Sequence, residues 1–275
     1  MTEASDWTGR VGDVWAAEWR RTDRSFGDLA RRLDAAILAA APRAGGRALD
    51  IGCGAGATSL ALAAARPDIA VTGVDLSAAL LDVARERGAG RANLAFVEGD
   101  ALAAAAALAP VDLFFSRHGV MFFADPAAGF AALRAAAAPG GRLVFSCFRA
   151  LALNAWADEV VAAVSGSPPE RRDGAPGPFA FADEDRVAEL LGEVGWRDAR
   201  VEPVDYRWRA GEGDDPVADA LGFLARIGPA APLLRALPAA EREAALGRIG
   251  TLCAAHRHGH AIDFPAAAWL WSARA

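Results

Sequence analysis

The sequence predicts an α/β fold in which a parallel sheet carries helices on both faces. Three observations predict it. Short apolar runs alternate with segments of helical spacing between residues 47 and 148. A glycine turn, Gly52-Cys53-Gly54-Ala55-Gly56, follows the first apolar run. Asp50, Asp75 and Asp100 stand at or beside the ends of the first three runs, where an open α/β sheet holds its ligand.

Taken in order, residues 1–46 precede the first strand. Trp7, Trp15 and Trp19 gather there beside Arg20, Arg21 and Arg24. Leu29, Leu33, Ile37 and Leu38 recur at helical spacing, and Pro42 with Gly45-Gly46 ends that helix. The segment is expected either to close over the ligand turn as a lid or simply to cover a sheet edge.

Arg47 to Ile51 reads as the first buried strand. Thr58 to Ala65 follows as a helix, Ile69 to Asp75 as a strand, and Ser77 to Arg87 as a helix with Ser77 at its N-cap. Asn93 to Glu98 is a strand, Ala101 to Leu108 a helix and Val111 to Ser116 a strand. Asp125 to Ala138 is a helix stopped by Pro139-Gly140-Gly141, and Arg142 to Phe148 is the fifth strand.

The pattern changes after Arg149. Pro168-Pro169 and Asp173 to Pro178 form a turn-rich connection. Asp183 to Val194 reads as a capped helix and Ala199 to Trp208 as a strand. Asp215 to His256 offers two or three helices broken at Gly228-Pro229 and Pro238, and Ala266 to Arg274 is the final strand. Three segments are therefore expected: a lid at 1–46, a cofactor-binding core at 47–150, and at 151–275 the rest of the sheet with a helical cap over about 210–264.

The 275 residues are 53% hydrophobic, enough for a substantial core, and carry a net charge of −6, which does not suggest a nucleic-acid partner. All 29 basic residues are arginine, which excludes a lysine Schiff base or a phosphate-loop lysine within the chain. Cys53, Cys147 and Cys253 are dispersed, against a disulfide framework or zinc site. His256-Arg257-His258-Gly259-His260 is read as a solvated turn, so no metal is expected. With no basic apolar leader and no run long enough to span a bilayer, a soluble cytoplasmic protein is expected.

The glycine turn also satisfies the dinucleotide pattern, with Gly54 second and Ala57 third. Asp50 separates the alternatives, because a carboxylate there suits a ligand ammonium and repels a pyrophosphate. Asp75 can accept both hydroxyls of an adenosine ribose, common to nicotinamide and sulfonium cofactors. Asp100 can accept from an adenine amino group while the Ala101 amide serves a ring nitrogen. Cys53 reads as a small filler of the turn. His118, past the fourth strand, is a candidate general base with an ionisation expected near pH 6–7.

Asp50-x-Gly52-x-Gly54-x-Gly56 resembles motif I of the class I S-adenosylmethionine-dependent methyltransferases. Asp75, Glu98-Gly99-Asp100, Ser116-Arg117 and Pro139-Gly140-Gly141-Arg142-Leu143 follow in that family's order. The chain is similar to the branch that includes ubiquinone and menaquinone biosynthesis methyltransferases. The resemblance implies a Rossmann-like sheet of seven strands, the seventh antiparallel between five and six. It implies S-adenosylmethionine as cofactor, held by Asp50, Gly52, Cys53, Gly54, Gly56, Asp75, Leu76, Asp100, Ala101, Ser116 and Arg117. Trp15, Met121, Phe122, Trp156 and Phe179 are expected to wall a small, partly hydrophobic acceptor. Asn154 is expected to cap a helix. A nicotinamide-dependent oxidoreductase and a non-catalytic S-adenosylmethionine-binding protein are the alternative readings.

Overall fold

A computed structural model describes residues 4–167, 169 and 177–275. Four helices open the chain: α1 (Ala4–Trp7), α2 (Arg10–Ala17), α3 (Trp19–Ser25) and α4 (Gly27–Ala40). Leu29, Leu33 and Ile37 of α4 are buried one above another, whereas Leu38 turns to solvent. The alternation then runs β1 (Arg47–Ile51), α5 (Ala57–Ala65), β2 (Ala70–Asp75), α6 (Ala78–Arg87), β3 (Leu94–Glu98), α7 (Ala101–Leu108), β4 (Val111–Arg117), α8 (Pro126–Ala136) and β5 (Ala137–Phe148). After it come α9 (Ala155–Ser165), α10 (Glu184–Glu193), β6 (Arg197–Glu212), α11 (Pro216–Leu224), α12 (Ala230–Ala236), α13 (Ala239–Ala255), β7 (Arg257–His258) and β8 (Ala261–Arg274). Pro168 and Asp173 to Pro176 of the expected turn-rich connection lie outside the described residues.

The sheet order is β3-β2-β1-β4-β5-β8-β6, with the short β7 paired to β8. Strands β1 to β5 are parallel, and β8 is antiparallel to both β5 and β6. The expected seven-stranded order is met, and β7 adds a two-residue eighth strand. The chain steps one way from β1 to β3 and the other way from β4 to β5. Right-handed crossovers therefore put α5 and α6 on one face and α7 and α8 on the other. The reversal falls between β1 and β4, and their carboxyl ends frame the crevice there. Phe114 and Phe115 of β4 point to opposite faces and both are fully buried.

Local chemistry explains most element ends. Ser77 accepts from the Leu80 amide at 3.3 Å and starts α6. Asp125, Asp183 and Asp215 accept amides of the first turns of α8, α10 and α11 in the same way. Helix α8 stops at Ala136, short of Ala138, because Ala137 is extended and pairs with Val111. The larger difference lies at the far edge. β6 continues to Glu212 and β8 begins at Ala261, so the two form a long arm beyond the carboxyl edge of the sheet. Pairing of Arg209 to Glu212 with Ala261 to Asp263 satisfies backbone that the sequence pattern left beyond the strands, in the cap.

Asn154 differs from expectation. It stands at the N-cap of α9, but its side chain makes no capping bond. Instead its amide donates to the carbonyls of Arg149 and Ala150 at 3.3 and 3.1 Å. Its carbonyl oxygen accepts from Trp156 Nε1 at 3.2 Å and from the Ala267 amide at 3.1 Å. One fully buried side chain thus joins the end of β5, the start of α9 and β8. Asn154→Ala should lower unfolding stability by about 2–4 kcal/mol, because several buried groups lose their partners together. Urea unfolding checks this, and a loss below about 0.5 kcal/mol would contradict the role given to the side chain.

Candidate functional site

The site begins where β1 ends. Gly52, Gly54 and Gly56 have φ of 64°, 53° and 78°, the left-handed region that glycine enters without strain. At Gly52 close approach matters as well, since a Cβ there would lie 3.1 Å from Gly119 Cα. Asp75 stitches the turn to β2. Its carboxylate accepts from the Gly54 amide at 2.8 Å and from the Ser77 amide at 2.9 Å. Asp100 is exposed and accepts from the Leu102 and Ala103 amides through one oxygen, which caps α7. Leu76 and Ala101 sit half-buried beside these acids. Cys53 is buried in the turn, and burial pushes its thiol well above the usual range, which suits a filler.

Asp50 is the electrostatic anomaly. It is 1% exposed. One oxygen accepts from Ser59 Oγ at 2.6 Å, and the other is buried with no partner among the described residues. Burial pushes the carboxyl up to about 7, against the opposing pull of Ser59 and Arg117. The donor set suits one kind of guest at this oxygen: a cation or hydrogen-bond donor small enough to reach the turn.

The end of β4 departs from expectation in three ways. The Ser116 hydroxyl is used within the fold. It is fully buried, donates to the Ile51 carbonyl at 2.7 Å and accepts from the Gly119 amide at 3.0 Å. Arg117 is held at 2.8 Å by Asp23 of α3, and its guanidinium lies 5.2 Å from the Phe26 ring centre. His118 is 7% exposed, with φ of 61°. Its ring stacks on Phe148 at 4.1 Å, and both ring nitrogens lack partners. Desolvation, with the nearby Arg117 charge, pushes its ionisation down to about 3, so the expected value near 6–7 is not met and the ring is neutral.

The opening helices lie directly over this turn. Asp23 also pairs with Arg87 at 2.8 Å, and Arg87 covers the Trp19 ring at 4.1 Å while donating to the Ala55 carbonyl at 2.6 Å. Gly12 of α2 rests against Ser77 so closely that a Cβ would overlap its hydroxyl. Sequence reading gave Asp23 no role and named Arg87 only as the end of a helix. The available signal was the four-residue spacing of Trp19 and Asp23, which puts both on one face of α3.

The five expected wall residues fall into separate groups. Trp7 joins Trp15 and Phe122, with ring centres at 5.6 and 5.4 Å. Phe148 joins Trp156 and Phe179 at 5.0 and 5.7 Å. Met121 is 2% exposed and belongs to the core. Among the described residues no cluster of metal-ligating side chains occurs, and no helix is long and apolar enough to cross a membrane. His258 and His260 are exposed in the β7–β8 turn, and His256 pairs with Glu159 at 2.9 Å.

The Asp50 carboxyl sets a pH dependence. The native group keeps its proton to about pH 7, while the unfolded one releases it near pH 4. Between those values the native state binds more protons at Asp50, so the contribution of this group falls as pH rises from about 4 to about 7 and then levels, while His118, pushed down to about 3, contributes in the opposite direction up to about pH 6.5. Asp34, pushed up to about 6, and Asp75 are shifted in the same direction as Asp50 by burial. Asp28 and Asp219 are shifted down and act below that window. Asp50→Asn should remove the Asp50 share of this dependence, so melting temperature drops less, or rises more, with pH across that range than in the wild type. An unchanged slope would show that the buried carboxyl is not its source.

Residues 48–141 match the methyltransferase domain family. The chain is 30% identical over 179 residues to demethylmenaquinone methyltransferase of Deinococcus radiodurans, covering 61% of this chain and 73% of that protein. Its fold matches the YcgJ protein of Bacillus subtilis with a TM-score of 0.53 and 18% identity, over 89% of this chain and 97% of the other. Haemonchus contortus phosphoethanolamine N-methyltransferase 2, solved with phosphomonomethylethanolamine and S-adenosylhomocysteine, matches with a TM-score of 0.55 and 19% identity, over 100% of this chain and 60% of the other. At such identities the two structures speak for the fold. Sequence match, sheet order and glycine turn agree: the chain belongs to the class I S-adenosylmethionine-dependent methyltransferases.

Proposed function

We propose that this methyltransferase acts on a small, partly hydrophobic acceptor through an oxygen, nitrogen or carbon nucleophile. Bound S-adenosylmethionine supplies a methyl group already activated by a positively charged sulfur, so orientation can supply much of the rate. The observation that carries the cofactor placement is the unpartnered, buried oxygen of Asp50. The methionine ammonium satisfies it and draws the carboxyl down from about 7. The same residue favours a sulfonium cofactor over a pyrophosphate-bearing nicotinamide.

The other acids divide the adenosine between them. Asp75 takes the ribose hydroxyls; each of its oxygens already accepts one amide and has a lone pair left. Asp100 offers its second oxygen to the adenine amino group, with the Ala101 amide beside it. Gly52, Gly54 and Gly56 keep side chains out of the cofactor's path. Arg117 serves the closed state, holding α3 through Asp23. Helices α1 to α3 act as a lid, and α11 to α13 as a cap over the acceptor side. Trp15 and Phe122 wall one side of the acceptor, and Trp156 and Phe179 the other.

Asp75→Ala should weaken S-adenosylhomocysteine binding by about 2–4 kcal/mol in calorimetry, because charge-assisted bonds are lost. Wild-type affinity in that variant would remove Asp75 from the ribose. In the wild-type titration, hydrogen exchange should slow in residues 7–24 and 216–255 as well as in the glycine turn. Protection confined to the turn would make both helical segments permanent cover.

His118 is neutral and enclosed, which supports positioning over proton transfer. His118→Ala should therefore lower turnover less than about tenfold, with no ionisation near pH 6–7 lost from the pH–rate profile. A fall of about 10²–10⁴-fold would make it a general base. Loss of cofactor binding would instead make it a cofactor ligand.

A further inference from the structure

Six buried polar atoms lack a partner among the described residues along one joint of the molecule: Thr22 Oγ1, Arg24 Nε, both ring nitrogens of His118, Tyr206 Oη and Trp208 Nε1. Tyr206 and Trp208 are 7% and 2% exposed. They occupy alternate positions of β6 and so share a face. That face lies beyond the sheet edge. Phe148, the last residue of β5, and Val204 both pair with Ala268, and Tyr206 and Trp208 come after Val204 on the arm.

The joint is lined by a continuous run of rings. Trp208 stacks on Trp156 at 5.1 Å, Trp156 lies 5.0 Å from Phe148, and Phe148 stacks on His118 at 4.1 Å. Helix α3 closes it, since Arg24 donates to the Ala210 carbonyl of the arm at 2.6 Å. Buried donors are normally paired, and a concentration of unpaired ones in an aromatic setting marks a place built to meet polar atoms of something else.

We propose that the β6 arm reads the acceptor, with Tyr206 and Trp208 donating to oxygen on an uncharged, planar compound held among the rings of Phe148 and Trp156. The inference rests on the methyl-transfer reading and adds its specificity-determining residues. Trp208 can only donate, so the ligand must accept. The His118 ring is neutral, and Arg117 is already paired with Asp23 at 2.8 Å. A carboxylate or ammonium on the ligand therefore finds no free counter-charge and must shed its hydration. Entry requires α3 to lift, which breaks the pairs Arg24–Asp219, Arg117–Asp23 and Arg87–Asp23 at 2.7, 2.8 and 2.8 Å and the bond from Arg24 to the Ala210 carbonyl.

The test uses the whole protein, labelled with ¹⁵N at tryptophan, saturated with S-adenosylhomocysteine and titrated with phenol. Trp208→Phe identifies the Trp208 indole signal. That signal should move on addition of phenol. Tyr206→Phe should weaken phenol by about fivefold or more without altering S-adenosylhomocysteine affinity. Benzoate and benzylamine should bind at least about tenfold more weakly than phenol. Tyr206→Phe should melt no lower than the wild type, because the hydroxyl it removes has no partner. An unmoved Trp208 signal, equal phenol affinity in Tyr206→Phe, tighter binding of a charged probe, or a lowered melting temperature would each overturn the assignment. If S-adenosylhomocysteine binds and the Trp208 signal stays still, only the arm is misassigned. If it does not bind, the cofactor site and the arm fall together.

Discussion

The site depends on one hydroxyl. Ser116 bonds the Ile51 carbonyl at the end of β1 and the Gly119 amide past the end of β4. These are the two strands at which the sheet reverses its order. The Gly52 and Gly119 backbones meet so closely that a Cβ on Gly119 would overlap the Ile51 carbonyl and one on Gly52 would crowd the Gly119 Cα at 3.1 Å. The two turns are therefore held as one unit, and the acids around them inherit its geometry. Three positive-φ glycines then let the chain leave β1 and enter α5 while keeping its backbone accessible. A fully buried serine whose hydroxyl both donates and accepts is costly to replace, since its removal strands a carbonyl and an amide.

Burial does the electrical tuning. Asp50, His118 and Cys53 are all pushed toward their neutral forms by desolvation. Asp75 feels the same push and keeps two backbone amides that favour its charge. The interior thus holds an unpartnered carboxyl oxygen at Asp50 and an uncharged, unpartnered ring at His118. The strong charges stay nearer the surface, where Asp23 bridges Arg87 and Arg117 and ties the opening helices to the core. A segment held mainly by such pairs can leave without dismantling the sheet.

The far edge of the sheet serves a different purpose. A strand pair needs only to reach the level of Phe148 to complete the sheet, yet β6 and β8 run on to Glu212 and Ala261. The extra length carries Tyr206, Trp208 and Ala210 inward and sends Asp205 and Arg207 outward. Helices α11 and α13 pack on each other, and α11 also packs on the arm. The insertion that departs from the simplest form of the fold is thereby anchored at the same end as the cofactor turn.

The sequence by itself determined the parallel core, the glycine turn and the acids at 50, 75 and 100. Each rests on a local rule: strand and helix periods, glycine at positive φ, carboxylates beside strand ends. The same locality explains its limits. Ser116 and Asn154 were named for a ligand contact and a helix cap, whereas their polar atoms join strands and loops distant along the chain. Asp23 meets Arg117 across 94 residues, and Arg24 meets Asp219 across 195. Tyr206 and Trp208 read as ordinary alternating strand residues until the arm buries both, setting Trp208 against Trp156 and Tyr206 within reach of the Arg117 charge. Desolvation likewise depends on what surrounds a group in space, which is why His118 looked like a free histidine in sequence and is a neutral, stacked ring in the fold. Periodicity decides which backbone forms; only the closed packing of distant segments decides which polar atoms are consumed within the protein and which are left for a ligand.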